Sequence, residues 1–411
     1  MRRKALKICL ILLNLLLLSV ASVEAQPGFS LRQGARKMSI PFERYNNLVV
    51  IPVTINDKIT LRFILDSGVQ SMILTEKGFA DLLNLRYDRK INLSGPGVKD
   101  SINALVANFV DVKLPGLYNK KQTLLVLEED YLNLRNNLGV EVFGIIGYDL
   151  FKRFVVEIDF DDNILTFYEP DFFVPKKNYR RIEMNIEGSK PYISVKIKHD
   201  TGKKTNSKLM VDTGASHAVL LEPNTDLDIN LPGKTLETSL GRGLGGEIDG
   251  KVGRTENLEI DRFGFDYVLA SYPNEGAYNR DMEDGRNGTM GGEILTRFNP
   301  VFDYFTNTLY LRKSDEYTKS FEHDMSGLEF TTVGENLDQI LVTEVRPDTP
   351  GKEAGVLVGD TITHVNGHPV GYTNVNYINT LFRLRPKKKI KLKIIRGEEP
   401  IKIKFRLRRM I

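Results

Sequence analysis

The chain has 411 residues, enough for about three domains, with 41% apolar and 27% charged residues, as packed globular cores require. Its net charge of +4 comes from the N-terminus: residues 1–25 hold four basic residues and one acidic one, leaving +1 on the rest. That balance gives no global attraction to nucleic acid, and the single cysteine, Cys9, excludes disulfides, thiol catalysis and cysteine metal sites from residues 26–411.

At the start, Arg2, Arg3, Lys4 and Lys7 precede an apolar run, Ile8–Val20, broken only by Asn14 and Ser19. Val23-Glu24-Ala25 then suits a signal peptidase. The pattern predicts a secretory signal over 1–25, cleaved after Ala25, and a soluble exported remainder, periplasmic or secreted. A retained anchor is the alternative, but the run is short for a full span. Cys9 lies inside the run, not at its end, which argues against a lipoprotein anchor.

Short alternating runs rich in Gly and β-branched residues then predict mainly β structure. One such run enters Asp66: Phe63-Ile64-Leu65-Asp66-Ser67-Gly68, followed by an apolar run ending at Leu74. Ser94-Gly95-Pro96-Gly97 reads as a hairpin tip. Gly144-Ile145-Ile146-Gly147 follows, with Arg153-Phe154, Asp159 and Leu165 beyond it.

The same landmarks recur in order. Leu209-Met210-Val211-Asp212-Thr213-Gly214 leads into a second apolar run, and Gly241–Gly246 reads as a second hairpin tip. Gly288-Thr289-Met290-Gly291 is followed by Arg297-Phe298, Asp303 and Leu309. The aspartates are 146 positions apart and the second glycines 144 apart. A register kept over so long a stretch marks an internal duplication. Asp200-Thr201-Gly202 tests the motif: it has the same three residue types, but polar flanks make it a turn between strands.

Paired carboxylates suit hydrolysis of an amide. Two acids held close together share one proton; the ionised one activates water and the protonated one polarises the carbonyl. The hydroxyls of Ser67 and Thr213 are placed to bridge the two loops. Gly68 and Gly214 are expected to permit a tight turn and to offer amides to the carboxylates.

On these residues, about 45–313 resemble the pepsin and retropepsin superfamily of aspartic peptidases. The resemblance implies catalytic Asp66 and Asp212 and strands crossing behind them at Gly147 and Gly291. It also implies flaps over a substrate cleft at Gly95, Gly97, Gly243 and Gly245. Both lobes lie in one chain, so the dyad needs no second copy. No counterpart of the pepsin-type flap tyrosine stands between Lys90 and Asn108.

From about Gly327 the pattern changes. Gln339–Val345 predicts a strand, Pro347–Gly351 a turn, and Lys352–Val356 a short helical segment. A further strand closes on Asn366-Gly367. The run 351–367 resembles a PDZ domain, which implies capture of an extended C-terminal peptide with Gly327, Leu328, Glu329 and Phe330 as the carboxylate loop. A packing module without a ligand is the alternative. Basic residues alternate with apolar ones over Lys389–Ile394 and Lys402–Leu407, predicting a hairpin near Gly397 with a solvated basic face. Contact with anionic lipid or an acidic partner is the sharper alternative for that face.

The five histidines make no ligand cluster, and Gly241–Gly246 lacks the Lys-Ser/Thr ending of a nucleotide loop. No metal and no cofactor are expected. The fold class expected is mainly β: two related retropepsin-like barrel lobes (26–175 and 176–318) as a pepsin-like pseudo-dimer, then a PDZ-like α+β domain (325–411). The function expected is an exported aspartic endopeptidase acting on polypeptides. The alternatives are a catalytically silent peptide-binding protein on the same fold and a processing enzyme for one partner.

Overall fold

The computed structural model describes residues 28–97, 101–277, 285–372 and 375–411. The expected signal segment, 1–25, lies outside the described residues. Among the described residues, no helix is long and apolar enough to cross a membrane.

The molecule is mainly β, with two duplicated lobes and a separate C-terminal α+β domain. Each lobe is built on one sheet, of nine strands in the first and ten in the second. In each, a strand runs into the key aspartate and a later short strand pairs with it in parallel. Gly144–Ile146 lies beside Phe63–Leu65, and Gly288–Met290 lies beside Leu209–Val211. The same short strands pair antiparallel with the apolar runs after the aspartates. All four are buried almost throughout, which accounts for their unbroken apolar runs.

A third, six-stranded sheet joins the lobes beneath this layer. Its centre is the pairing of Val156 with Phe302 and of Glu157 with Val301. On each side lies a hairpin from one lobe, extended by an outer strand from the beginning of that lobe, Lys37–Pro41 or Arg180–Glu183. The repeated aspartates have a structural task here. Asp159 Oδ1 accepts from the amides of Asp161 (3.1 Å) and Asp162 (3.2 Å). Asp303 Oδ1 does the same for Phe305 and Thr306, both at 3.1 Å. Each closes a hairpin turn through its side chain.

One apolar core runs through both lobes, including Phe151, Phe154, Phe298 and Phe302. The C-terminal domain has a core of its own around Ile340, Val356, Ile378 and Leu392. Its strands are Leu328–Val333, Gln339–Val345, Thr361–Val365, Lys389–Arg396 and Glu399–Arg406, beside the helix Val375–Phe382. Asn366 and Gly367 both have positive φ, the conformation a two-residue hairpin turn demands. Ile390, Leu392 and Ile394 are buried while the intervening lysines face solvent, so the period-two reading of this hairpin describes it well. The short helix differs: it spans Pro350–Glu353, beginning earlier than the sequence suggested. Proline at its first position presets φ and has no amide to leave unpaired.

Candidate active site

The two aspartate loops meet at the junction of the lobes. Asp66 and Asp212 are each partly exposed between fully buried neighbours. Their backbones hang on the crossing strands: the Asp66 amide donates to Ile146 O and the Asp212 amide to Met290 O, both at 2.9 Å. Gly147 and Gly291 lie where those strands pass closest. A Cβ on Gly147 would fall 1.6 Å from Asp66 O, and one on Gly291 would fall 2.4 Å from His217 O.

Four buried hydrogen bonds then lock the loops together. The Ser67 hydroxyl donates to Val211 O at 2.7 Å, and the Thr213 hydroxyl donates to Leu65 O at 2.7 Å. Each hydroxyl oxygen also accepts the other loop's amide at 3.0 Å. Every donor and acceptor in the set is satisfied across the lobe boundary, which fixes the relation of the two carboxyls.

The carboxyls lie side by side, within hydrogen-bonding reach of each other. Asp66 Oδ1 accepts the Gly68 amide at 2.7 Å, and Asp212 Oδ1 accepts the Gly214 amide at 2.8 Å. Burial first, and then the negative charge of Asp212, hold the Asp66 carboxyl well above the usual carboxylate range. The two amides bond the carboxylates as the sequence suggested, but a tight turn is not what calls for glycine. Neither Gly68 nor Gly214 has positive φ. What the site needs is the missing Cβ: at Gly214 it would lie 2.3 Å from Asp66 Cγ, and at Gly68 3.2 Å from Asp66 Oδ1.

Two hairpins close over this region. The first joins Arg89–Leu93 to Ile102–Leu114, and the second joins Leu236–Gly243 to Gly246–Arg254. Their tips touch. The Gly245 amide donates to Pro96 O at 2.8 Å, while the Gly97 amide donates to Ala277 O at 2.9 Å, in the loop that follows the strand Leu269–Pro273. Gly95, Gly97 and Gly243 are packed against the opposite tip so closely that a Cβ on any of them would come within 3.0 Å of it. Leu244 from the second tip packs against the cluster that holds Ile73 and Ile102, as does Val69, which follows Gly68 directly. The four glycines read as flap positions are therefore brought together, one pair from each lobe. The turn at Asp200-Thr201-Gly202 stands apart; Asp200 Oδ2 accepts the Gly233 amide at 2.6 Å.

Two further groups escaped the sequence reading. The Tyr304 hydroxyl is buried with no hydrogen-bond partner, and its ring stacks 5.5 Å from Phe151. Burial and then the charge on Asp66 hold this phenol well above its ordinary value. His217 has a buried, unpartnered Nε2. Burial lowers its pKa, and the charge of Asp212 partly offsets that. The available signal was a break in the repeat, since His217 and Tyr304 stand where the first lobe has Ser71 and Phe160. Among the described residues, no group of three or more His, Asp or Glu is placed to hold a metal.

In the C-terminal domain, Gly327 takes φ +77°, and a Cβ there would overlap Thr349. Leu328 is buried in the domain core, and Phe330 meets Phe382 edge-on at 5.9 Å. The Gly327 amide donates to Asp324 Oδ2 (2.7 Å) and the Leu328 amide to Ser326 Oγ (3.1 Å). Glu329 Oε1 accepts from Thr238 Oγ1 at 2.7 Å and from the buried Arg346 guanidinium.

Residues 51–150 match the aspartyl protease family and residues 322–407 match the PDZ domain family. The chain thus carries an aspartyl protease domain followed by a PDZ domain. It is 27% identical over 170 residues to a probable CtpA-like serine protease of Staphylococcus haemolyticus (strain JCSC1435), a stretch covering 40% of this chain. The match spans about a third (32%) of that relative's length. The crystal structure of the aspartic proteinase from Irpex lacteus superposes with a TM-score of 0.43 at 14% identity, covering 69% of this chain and 99% of that one.

Proposed function

We propose that this chain is an exported aspartic endopeptidase that cuts polypeptides with Asp66 and Asp212 and uses its PDZ domain to recognise substrate or partner peptides. The observation that carries the reading is the pair of adjacent carboxyls, fixed by the reciprocal Ser67–Thr213 hydrogen bonds.

In this reading one proton is shared by the pair, and Asp66 is its principal holder. Water between the carboxyls attacks the peptide carbonyl carbon and gives a proton to Asp212, while Asp66 donates its proton to the carbonyl oxygen. The tetrahedral diol then collapses: Asp212 passes its proton to the nitrogen, the C–N bond breaks, and one diol hydroxyl gives its proton back to Asp66 as the new carboxylic acid forms, leaving the pair with one proton again. Ser67 and Thr213 position the loops, and the paired flap tips exclude bulk water once substrate is enclosed. Secretion after cleavage at Ala25 places this chemistry outside the cytoplasm, where N-terminal sequencing of the mature protein should begin at Gln26.

The relative's name points to serine chemistry, so the test separates the two peptidase types. Cleavage of a peptide mixture is followed with a statine-containing peptide and, separately, with a fluorophosphonate. Inhibition by statine alone is expected. Covalent labelling by the fluorophosphonate with loss of cleavage would contradict the aspartic mechanism.

A further inference from the structure

The strand Leu328–Val333 is an edge strand: it pairs with Gln339–Val345 on one side, and no strand pairs with its other side among the described residues. Leu328, Phe330 and Thr332 alternate onto one face. Phe330 on that face meets Phe382, on the helix Val375–Phe382. Strand and helix form the groove in which a PDZ domain adds a peptide to its sheet. Here the far half of the groove is already covered by the first lobe.

The covering segment is the short helix Leu134–Leu138 with Gly139, which ends it in the left-handed conformation. The Asn136 carbonyl accepts from Thr332 Oγ1 at 2.6 Å and Thr331 Oγ1 at 3.3 Å. Arg135 donates to Glu335 O. Gly139 sits between strand and helix, where a Cβ would lie 3.2 Å from both Thr332 Cγ2 and Val375 Cβ. Its other face is anchored at home: Leu138 is buried with Leu48, Val50 and Ile64 of the first lobe. Beside it, the Asn46 amide donates to Asn376 Oδ1 at 3.0 Å.

This contact uses side-chain hydroxyls and leaves the backbone edge of the strand without a ladder. An extended peptide would take up that edge, but Gly139 already fills the space between Thr332 and Val375. We infer that the segment Leu134–Gly139 is a built-in competitor for the PDZ groove, so that an extended peptide binds there only by displacing it and releasing the PDZ domain from the first lobe. The released segment leads within five residues into Gly144–Ile146, the strand that holds the Asp66 amide. The groove's near end is tied to the second lobe, since Thr238, bonded to Glu329, lies on the strand that rises into the second flap. Occupancy of the groove is thereby linked to both walls of the cleft. The inference rests on the peptide-binding reading of the PDZ domain made above.

The test uses the full chain carrying Asp66→Asn, so that bound peptides are not cut, and an immobilised library of random decapeptides with free C-termini. Gly139→Trp, which leaves every groove residue unchanged, should raise peptide capture at least tenfold. The pair Gly139→Cys with Val375→Cys should, when oxidised, capture at least tenfold less than when reduced, with dithiothreitol restoring it. Hydrogen exchange at Val156 and Ile158, in the sheet that joins the lobes and away from the released segment, matching the parent shows that the first lobe is intact in each variant. Equal capture by oxidised and reduced forms, or no gain in Gly139→Trp, overturns the competitor while leaving peptide binding in place. No capture by any form overturns both. Neither result bears on cleavage by Asp66 and Asp212, which is measured separately.

Discussion

Ser67 and Thr213 grip each other across the lobe boundary: each amide donates to the other's hydroxyl oxygen at 3.0 Å. Each hydroxyl then spends its own hydrogen on a carbonyl of the opposite strand, at 2.7 Å. Ser67→Ala or Thr213→Val therefore strands a buried amide and a buried carbonyl together. Each should lower unfolding stability by about 2–4 kcal/mol. The two substitutions remove different bonds of the four, so the double variant should lose about the sum of the singles, and any departure from the sum measures coupling across the lobe boundary. Urea denaturation of the four proteins in the cycle checks this.

The glycines beside the dyad should differ in their tolerance. Gly214→Ala places a methyl 2.3 Å from Asp66 Cγ, whereas Gly68→Ala places one 3.2 Å from Asp66 Oδ1. The first must move a carboxyl; the second needs a shift of a few tenths of an ångström. Gly214→Ala should cut kcat by 100-fold or more and Gly68→Ala by about tenfold, because reacting groups tolerate little displacement. Steady-state kinetics on one peptide compares them directly.

The raised pKa of Asp66 fixes the sign of two pH effects. Its folded value lies well above the ordinary aspartate value of 3.8, so the folded state holds this proton more tightly than the unfolded chain. Stability is then lost as pH rises from 3.8 through the folded value, by up to about 1.4 kcal/mol per unit. Asp66→Asn removes that dependence, so denaturation midpoints of variant and wild type should diverge in the variant's favour between pH 4 and pH 7. Cleavage should follow a bell, falling on the alkaline side as the shared proton leaves.

The flap contact should control substrate entry. Gly243→Ala puts a methyl 2.2 Å from Pro96 O, and Gly97→Ala puts one 2.2 Å from Gly245 C. Both should separate the tips, raise KM several-fold and quicken proteolytic nicking near residues 94–97 and 243–246. Unchanged KM together with unchanged nicking would show that the tips open freely without these substitutions.

Much of the scaffold was legible because both halves face the same local problems. Asp159 and Asp303 recur because each caps a hairpin turn, and Gly147 and Gly291 because a chain passes too close for a side chain. The alternation of Lys389–Ile394 showed its strand because one face is core and the other water. Other features depend on residues far apart in the chain. Nothing near Gly139 announces Thr332 and Val375, and nothing near Glu329 announces Thr238. The glycines at 68 and 214 were recognisable, but the close packing at Gly214 was not, since it comes from the opposite lobe's Asp66. His217 and Tyr304 showed only as breaks in the repeat, and a break does not say what replaces symmetry.

The most direct test of the Asp66–Asp212 account is cleavage of a mixed peptide library across a range of pH, read by mass spectrometry. Protein spanning residues 26–411 would be compared with its Asp66→Asn and Asp212→Asn variants. The account predicts products from the wild type on the acid side of neutrality and a loss of at least 1,000-fold in each variant, with urea midpoints showing both folded. Cleavage that survives in both variants, or a wild type that cuts nothing at any pH, would contradict it.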